Sequence, residues 1–186
     1  DLQVQQQFLE DFGFQSEISN DLLIARGTDA SPYIYIAEQS NEPAFVSVGF
    51  AAESEAALRH IAATDGVQVE ANDLPGGGLI ARLTDPNGFS IEVVANLADS
   101  PLLTPASRSV LNDGVEKLRL GEGVTFVDAD SLIKRLGHVV LMVTDFNETL
   151  EWYQERFGLL ISDEIVVDNE GKPETLGAFT RCNRGE

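Results

Sequence analysis

The sequence predicts an α+β fold in which helix-and-strand units recur along the chain. Short runs of β-branched and aromatic residues, such as residues 33–37 and 44–50, alternate with amphipathic helical stretches. Residues 8–14 align with residues 153–159, sharing Glu, Phe and Gly at the third, fifth and sixth positions. The glycine ends a helix in both segments, as its backbone freedom favours. A hairpin over residues 78–94 completes the pattern.

Local signals support each predicted element in the first half of the chain. A helix ending near residue 12 is predicted by an apolar stripe of Val4, Phe8 and Phe12. A strand over residues 22–25 follows, and a second helix begins at the N-cap Ser54 and stops at Gly66. The predicted hairpin turns at Asp-Pro-Asn-Gly, whose Pro and Gly positions suit a type I turn.

The pattern divides the chain into two modules and a linker. Residues 1–97 are interpreted as a first module that lacks its opening strand. Over residues 98–134 the regular pattern fades and Pro, Gly and Asn accumulate, which indicates a linker. Residues 135–186 are interpreted as the first half of a second module. We therefore expect a sequence that is incomplete at both ends.

Composition excludes several classes of function. The chain has 12 basic and 31 acidic residues, a formal net charge of −19, which argues against nucleic acid and anionic membranes as partners. No apolar run approaches the roughly 20 residues of a membrane helix. Cys182 is the single cysteine, so an internal disulfide is impossible and a cytoplasmic location is expected.

The second module opens with a feature that could carry chemistry. Residues 135–145 predict an apolar strand with His138 at its entrance and an acidic residue at its end. Asp145 and Glu148 have the spacing of a capping box, and a helix with a buried stripe of Leu150, Tyr153 and Phe157 follows. By spacing alone, a single histidine at a strand entrance is more often structural than a ligand.

Three segments resemble one protein superfamily. Residues 83–94 look like its closing hairpin, residues 135–141 with the following helix look like the start of a catalytic module, and residues 178–185 look like the segment that leads into a ligand-bearing strand. The chain thus resembles the vicinal oxygen chelate superfamily of glyoxalases, bleomycin resistance proteins and dioxygenases. Its paired βαβββ modules are most similar to those of type I extradiol ring-cleaving dioxygenases.

The resemblance implies a metalloenzyme. In the dioxygenase branch two His and one Glu of the second module hold Fe(II), or sometimes Mn(II), and leave positions open for substrate and oxygen. By resemblance His138 is the first metal ligand. The other ligands and the acid–base residue are expected after Glu186, so no catalytic residue is assigned and the chain as given is expected to be inactive.

The function implied is that of a fragment of an Fe(II)-dependent extradiol dioxygenase that cleaves a catechol-like aromatic substrate with dioxygen. A homo-oligomer is expected. Two alternatives stay open: a glyoxalase-like metal-dependent lyase or isomerase, and a non-enzymatic protein that binds a small ligand, as resistance proteins do. A second His and a Glu on later strands would favour a metalloenzyme, and their absence would favour a binder.

Other polar residues are expected to be structural. Glu92 occupies the position that matches the ligand Glu of the second module. The counterpart of His138 is absent from the chain and the strand over residues 44–50 contains no His, so a structural or solvent-facing role is favoured for Glu92. His60 is interpreted as a surface residue of a helix, and Cys182 as an ordinary thiol. Residues 76–78 are all glycine and predict a flexible turn rather than a phosphate loop.

Overall fold

The computed structural model describes residues 1–103 and 132–182. The described residues form helices and strands in this order: α1 Leu2–Phe12, β1 Gln15–Ser19, β2 Leu22–Arg26, β3 Tyr35–Glu38, β4 Ser47–Ala51, α2 Glu55–Asp65, β5 Val69–Ala71, β6 Leu79–Thr84, β7 Ser90–Ala95, α3 Phe146–Phe157, β8 Leu160–Asn169 and β9 Lys172–Arg181. Since helices and mainly antiparallel sheets follow one another, the predicted α+β class is confirmed.

The strands make three small sheets. The first has the order β1-β2-β3 and the third is the β8-β9 pair, and both are antiparallel. The middle sheet has the order β4-β7-β6-β5, and β4 runs parallel to β7 with Val48 opposite Ile91. The predicted strand at residues 44–50 therefore belongs to a different sheet from the strand at residues 33–37. It opens a complete βαβββ run formed by β4, α2, β5, β6 and β7.

The helices of the described residues share their start and stop signals. Each begins at a side chain that accepts a backbone N–H of the first turn, and these capping residues are Asp1, Ser54 and Asp145. Each ends at a glycine in the left-handed region, with φ of 103°, 66° and 61° at Gly13, Gly66 and Gly158. The matching ends of α1 and α3 agree with the internal repeat found in the sequence. None of these helices has the length and apolar character that crossing a bilayer requires.

The chain folds into two compact units, each assembled from separate stretches. The first unit contains Asp1–Ala44, Leu74–Gly76 and Leu97–His138, and the second contains Phe45–Asp73, Gly77–Asn96 and Val139–Glu186. Residues 1–97 thus contribute to both units. The division along the sequence into residues 1–97, a linker at 98–134 and residues 135–186 stays a prediction, and residues 104–131 of that linker lie outside the described part of the chain.

The first unit buries one face of α1 against its sheet. Its core consists of Leu2 and Leu9 from the helix and Leu23 and Ala25 from β2. The apolar stripe that predicted this helix lies elsewhere: Val4, Phe8 and Phe12 are 68%, 59% and 58% exposed. The stripe predicted the helix correctly but not its buried face. That face is formed by Leu2 and Leu9, which lie two turns apart on the side of the helix toward the sheet.

The second unit has the larger core. Leu58 and Ile61 of α2 pack on alternate residues of the central strands, including Leu83, Ile91 and Val93. Full burial of each such side chain stabilises the fold by about 1.5–3 kcal/mol. From α3, Tyr153 is buried in the same cluster, and the ring of Phe157 stacks on that of Phe50 at 4.5 Å between centroids. The predicted buried stripe of α3 is thus confirmed at Tyr153 and Phe157.

Two adjacent glycines before β6 provide a matched test of this core. Gly77 and Gly78 both have positive φ, 57° and 84°. A Cβ at Gly77 would meet nothing within 4 Å, whereas at Gly78 it would fall on the carbonyl oxygens of Ala95 and Asn96. We predict that Gly77→Ala lowers the free energy of unfolding by about 1–2 kcal/mol, the cost of a left-handed alanine.

For Gly78→Ala we predict a loss of roughly 3 kcal/mol or more, since an overpacking cost adds to the same backbone cost. Urea unfolding of both variants measures the difference. Equal losses of stability in the two variants would show that the backbone at Ala95 and Asn96 shifts to accommodate the added methyl group.

Candidate functional site

His138 lies in a segment, residues 135–145, that is not a strand of any sheet in the described structure. The strand predicted over residues 135–145 is therefore wrong, because no strand is formed there in the described part of the chain. A strand needs a neighbour to receive its hydrogen bonds, and no described strand pairs with this segment. His138 is exposed, and so are Val140 at 74% and Met142 at 87%.

The chain just before this segment is anchored within the first unit. Ile133 donates its N–H to the carbonyl of Gly13 at 3.1 Å and accepts the N–H of Thr28 at 2.9 Å. A further bond runs from the N–H of Asp29 to the carbonyl of Lys134 at 3.3 Å. A Cβ at Gly27 would fall on that carbonyl. The close approach of the two backbones therefore requires glycine at position 27.

The end of this segment is anchored within the second unit by Asn87. The side-chain oxygen of Asn87 accepts both the N–H and the hydroxyl of Thr144, at 2.8 and 2.9 Å. Its side-chain nitrogen donates to the hydroxyl of Thr149 at 2.9 Å. Thr149 in turn donates to the carbonyl of Asp145, the N-cap of α3, at 2.6 Å. One amide side chain thus holds the chain at the point where it enters α3.

Asn87 is itself held by the turn between β6 and β7, which is built on Asp85. This buried carboxylate accepts the N–H groups of Asn87 and Phe89, both at 2.8 Å, and the hydroxyl of Tyr153 at 3.2 Å. Gly88 donates its N–H to the carbonyl of Asp85 at 3.0 Å, which closes the predicted type I turn. The turn and helix α3 are therefore joined through one acidic side chain.

The ionisation of Tyr153 reflects this setting. Burial raises the pKa of the Tyr153 phenol well above its ordinary value, and the negative charge of Asp85 and the hydrogen bond to it raise that pKa further. The phenol therefore stays protonated as a hydrogen-bond donor. It has no role as a base at physiological pH.

Helix α3 is also fixed to α2 by an ion pair that sequence reasoning missed. Arg156 donates to Asp65 at 2.7 Å, and the two side chains are only 15% and 11% exposed. The guanidinium also lies over the ring of Trp152, at 4.4 Å from its centroid. Neither partner stands out in the sequence, because their separation of 91 residues hides the pair.

The remaining candidates occupy ordinary positions. Glu92 pairs with Arg82 at 3.3 Å on the outer face of the middle sheet, in keeping with the structural role favoured for it. His60 lies exposed on α2, where its carbonyl accepts the Thr64 hydroxyl. Cys182 is an exposed free thiol. An open cavity of about 350 Å³ at the tip of the β8–β9 hairpin is lined by mostly apolar residues. The carboxylate of Asp168, one of these lining residues, accepts the N–H of Gly171.

The described residues do not by themselves form a complete metal centre. Residues 1–103 and 132–182 hold no group of three or more His, Cys, Asp or Glu side chains placed to share an ion. His138 offers one imidazole, whereas a facial triad needs three protein ligands on one side of the metal. These residues can supply one ligand of such a site, so no catalytic step through a metal follows from them.

Comparisons with known proteins agree with this fold. Residues 135–186 match the family model described as the Glyoxalase/Bleomycin resistance protein/Dioxygenase superfamily. A search of curated proteins gave no match. Two solved structures are similar over 98% of this chain. The Mn(II)-bound glyoxalase from Novosphingobium aromaticivorans has a TM-score of 0.70 at 19% identity, and a catechol 2,3-dioxygenase has a TM-score of 0.65 at 16% identity.

The resemblance to the vicinal oxygen chelate superfamily is therefore confirmed for residues 135–186. The family model covers the segment that begins beside His138, and both solved structures have vicinal oxygen chelate folds. At these identities the two structures show a shared fold only. The chain spans 55% of the glyoxalase chain and 63% of the dioxygenase chain.

The close approach at Gly27 yields a local prediction. Gly27→Ala should separate residues 27–29 from residues 133–134, because the new methyl group occupies the place of the Lys134 carbonyl. We expect a loss of about 1–3 kcal/mol in the free energy of unfolding and faster hydrogen exchange at the Thr28 and Ile133 amides. Gly49→Ala is the matched control, because its nearest atom would lie at 3.9 Å. Unchanged, slow exchange at both amides in Gly27→Ala would contradict the prediction that residues 27–29 separate from residues 133–134.

The raised pKa of Tyr153 predicts a pH dependence. The protonated Tyr153 phenol contributes its full stability below about pH 10, where the tyrosine of the unfolded chain is protonated too. This contribution is lost as the pH rises from there toward the higher pKa of the folded state. At pH 7, Tyr153→Phe should cost about 1–3 kcal/mol, because the Asp85 carboxylate loses a buried donor.

The stability difference between wild type and Tyr153→Phe should therefore shrink above pH 10. Unfolding by urea between pH 7 and 11 measures it, with Tyr35→Phe as a control in the other unit. A difference that stays constant over this range would contradict the assigned role of the phenol.

Proposed function

We propose that this chain is part of a metal-dependent extradiol dioxygenase that opens a catechol-like aromatic ring beside its diol, with dioxygen as the second substrate. The observation that carries the proposal is the position of His138 at the start of the matched segment, residues 135–186. A neutral imidazole is a common ligand for Fe(II) and Mn(II). His60 is the one other histidine of the sequence and lies outside that segment.

The geometry supports a ligand role for His138 in a specific way. The segment that carries it is held before position 135 by Gly27 and the residues next to it, and after position 143 by Asn87. A metal ligand benefits from such anchoring because a coordination bond tolerates errors of only about 0.2 Å. The imidazole is exposed, so it can reach ligands contributed by other parts of the complete protein.

A divalent metal is the expected cofactor, Fe(II) or Mn(II). One similar structure is a Mn(II)-bound glyoxalase and the other a catechol 2,3-dioxygenase, so the comparisons allow either metal. The small aromatic substrate, the homo-oligomeric state and the cytoplasmic location belong to the same proposal. The excess of acidic residues supports a soluble small-molecule enzyme over a nucleic-acid-binding protein.

The second candidate is a glyoxalase-like lyase or isomerase. The higher TM-score of the Mn(II)-bound glyoxalase favours it, while the family description leaves room for a resistance-type binding protein as well. Oxygen consumption separates the candidates. A dioxygenase takes up one O₂ for each ring opened, a glyoxalase-like enzyme converts its substrate without O₂, and a binding protein turns over neither.

His138→Ala tests the proposal in the complete protein, and His60→Ala is the matched control. We expect His138→Ala to abolish oxygen uptake with catechols and to lower the bound iron or manganese at least tenfold, because a triad that loses one ligand binds weakly. His60→Ala should retain both properties, since its side chain lies exposed on α2. Full activity and metal content in His138→Ala would refute the dioxygenase proposal.

A further inference from the structure

We propose that Gly13 and residues 27–29 form a docking surface for the part of this chain that begins at residue 132, and that this part stays bound when the chain is cut between residues 103 and 132. The docking surface and the residues that contact it all lie in the first unit. The proposal concerns the assembly of the protein, so it is independent of the function proposed above.

The chain reaches the docking surface at Ile133 and Lys134. The N–H of Thr28 donates to the carbonyl of Ile133 at 2.9 Å, and Ile133 donates its own N–H to the carbonyl of Gly13 at 3.1 Å. Gly13 ends α1, and Gly27 follows β2. Gly27 is buried and lies directly against the carbonyl of Lys134. Two separate elements of the first unit therefore bind this short stretch through backbone atoms.

The stretch before residue 104 ends at the same place. Leu103 donates its N–H to the carbonyl of Thr28 at 3.1 Å, and Ser100 donates to the carbonyl of Ala30 at 2.8 Å. The guanidinium of Arg26 donates to the carbonyl of Pro101 at 2.6 Å. These bonds hold residues 100–103 against the chain that follows β2.

Thr28 is thus in contact with both sides of the proposed cut. It bonds Leu103 through its carbonyl oxygen and Ile133 through its nitrogen. These two atoms of one residue are close, so the bonded backbone atoms of Leu103 and Ile133 lie within roughly 10 Å of each other. Residues 104–131 would be long enough to span roughly 90 Å if extended. The bonds to Thr28, and not the length of the covalent connection, therefore set the distance between these positions.

The part that begins at residue 132 has attachment points in the second unit as well. Residues 139–186 belong to that unit, where Asn87 binds Thr144 and Asp65 pairs with Arg156. Two joined sites hold a partner more tightly than either does alone, because the second binding step is intramolecular. A cut between residues 103 and 132 removes a tether and leaves both sets of bonds in place.

The test cuts the full chain at one new site. A recognition sequence for a site-specific protease, flanked by Gly and Ser residues, is inserted between Asn112 and Asp113, where Asn-Asp-Gly is typical of a turn. After complete cleavage we expect the two parts to elute together in gel filtration at micromolar concentration and to separate in denaturant. The amides of Thr28 and Ile133 should exchange within about twofold of their rates in the uncut chain.

Two results of this experiment would overturn the proposal. One is separate elution of the two parts without denaturant. The other is exchange at the Thr28 and Ile133 amides as fast as in an unstructured peptide, because the covalent connection would then be what holds Ile133 in place.

Thr28→Pro distinguishes the docking surface from the bonds of the second unit. Proline removes the N–H that binds Ile133, whereas the matched control Thr28→Ala keeps both backbone groups. In the cut protein we expect Thr28→Pro to weaken the association of the two parts about tenfold or more, since the Ile133 carbonyl loses its donor. Thr28→Ala should stay within about twofold of the cut wild type. Equal affinities in the two variants would refute the docking surface.

Should Thr28→Pro unfold the first unit in the uncut chain, Gly27→Ala decides the matter. Its methyl group would occupy the place of the Lys134 carbonyl, whereas in the control Gly49→Ala the nearest atom would lie at 3.9 Å. In the cut protein Gly27→Ala should weaken the association of the two parts, and Gly49→Ala should leave it unchanged. An unchanged affinity in Gly27→Ala would show that the docking surface does not bind the part from residue 132.

Discussion

The carboxylate of Asp85 is the group on which the second unit depends. It is buried, and it accepts two backbone N–H groups of its own turn together with the hydroxyl of Tyr153 from α3. A buried charged group persists only where such donors replace the lost water. The turn that joins β6 to β7 and helix α3 are therefore stabilised together. Loss of the carboxylate would leave three donors without an acceptor.

The consequence reaches the start of α3. Since Asp85 holds Asn87 and Asn87 holds Thr144, the β6–β7 turn fixes the chain where it enters α3. The ion pair of Arg156 with Asp65 fixes the other end of α3 to α2 in the same unit. The βαβββ run of residues 47–95 therefore holds both ends of α3 within the second unit.

Local features could be predicted from the sequence because their causes are local. The caps Ser54 and Asp145, the glycine stops at Gly13 and Gly158 and the turn at Asp85 depend on residues a few positions apart. Whether residues 135–145 form a strand and which face of α1 is buried both depend on distant partners, so periodicity alone misjudged both. Asn87 was missed as a contact residue for a simpler reason. In a turn sequence its side chain has no obvious partner, and Thr144 lies 57 residues away.

The measurement that most directly tests this account is the location of the metal in crystals of the complete protein, from anomalous diffraction at the iron or manganese absorption edge. We expect one strong peak within bonding distance, about 2.0–2.3 Å, of an imidazole nitrogen of His138, with Asn87 still bound to Thr144. A fully occupied metal site that does not include His138 would contradict both the assignment of the ligand and the dioxygenase proposal built on it.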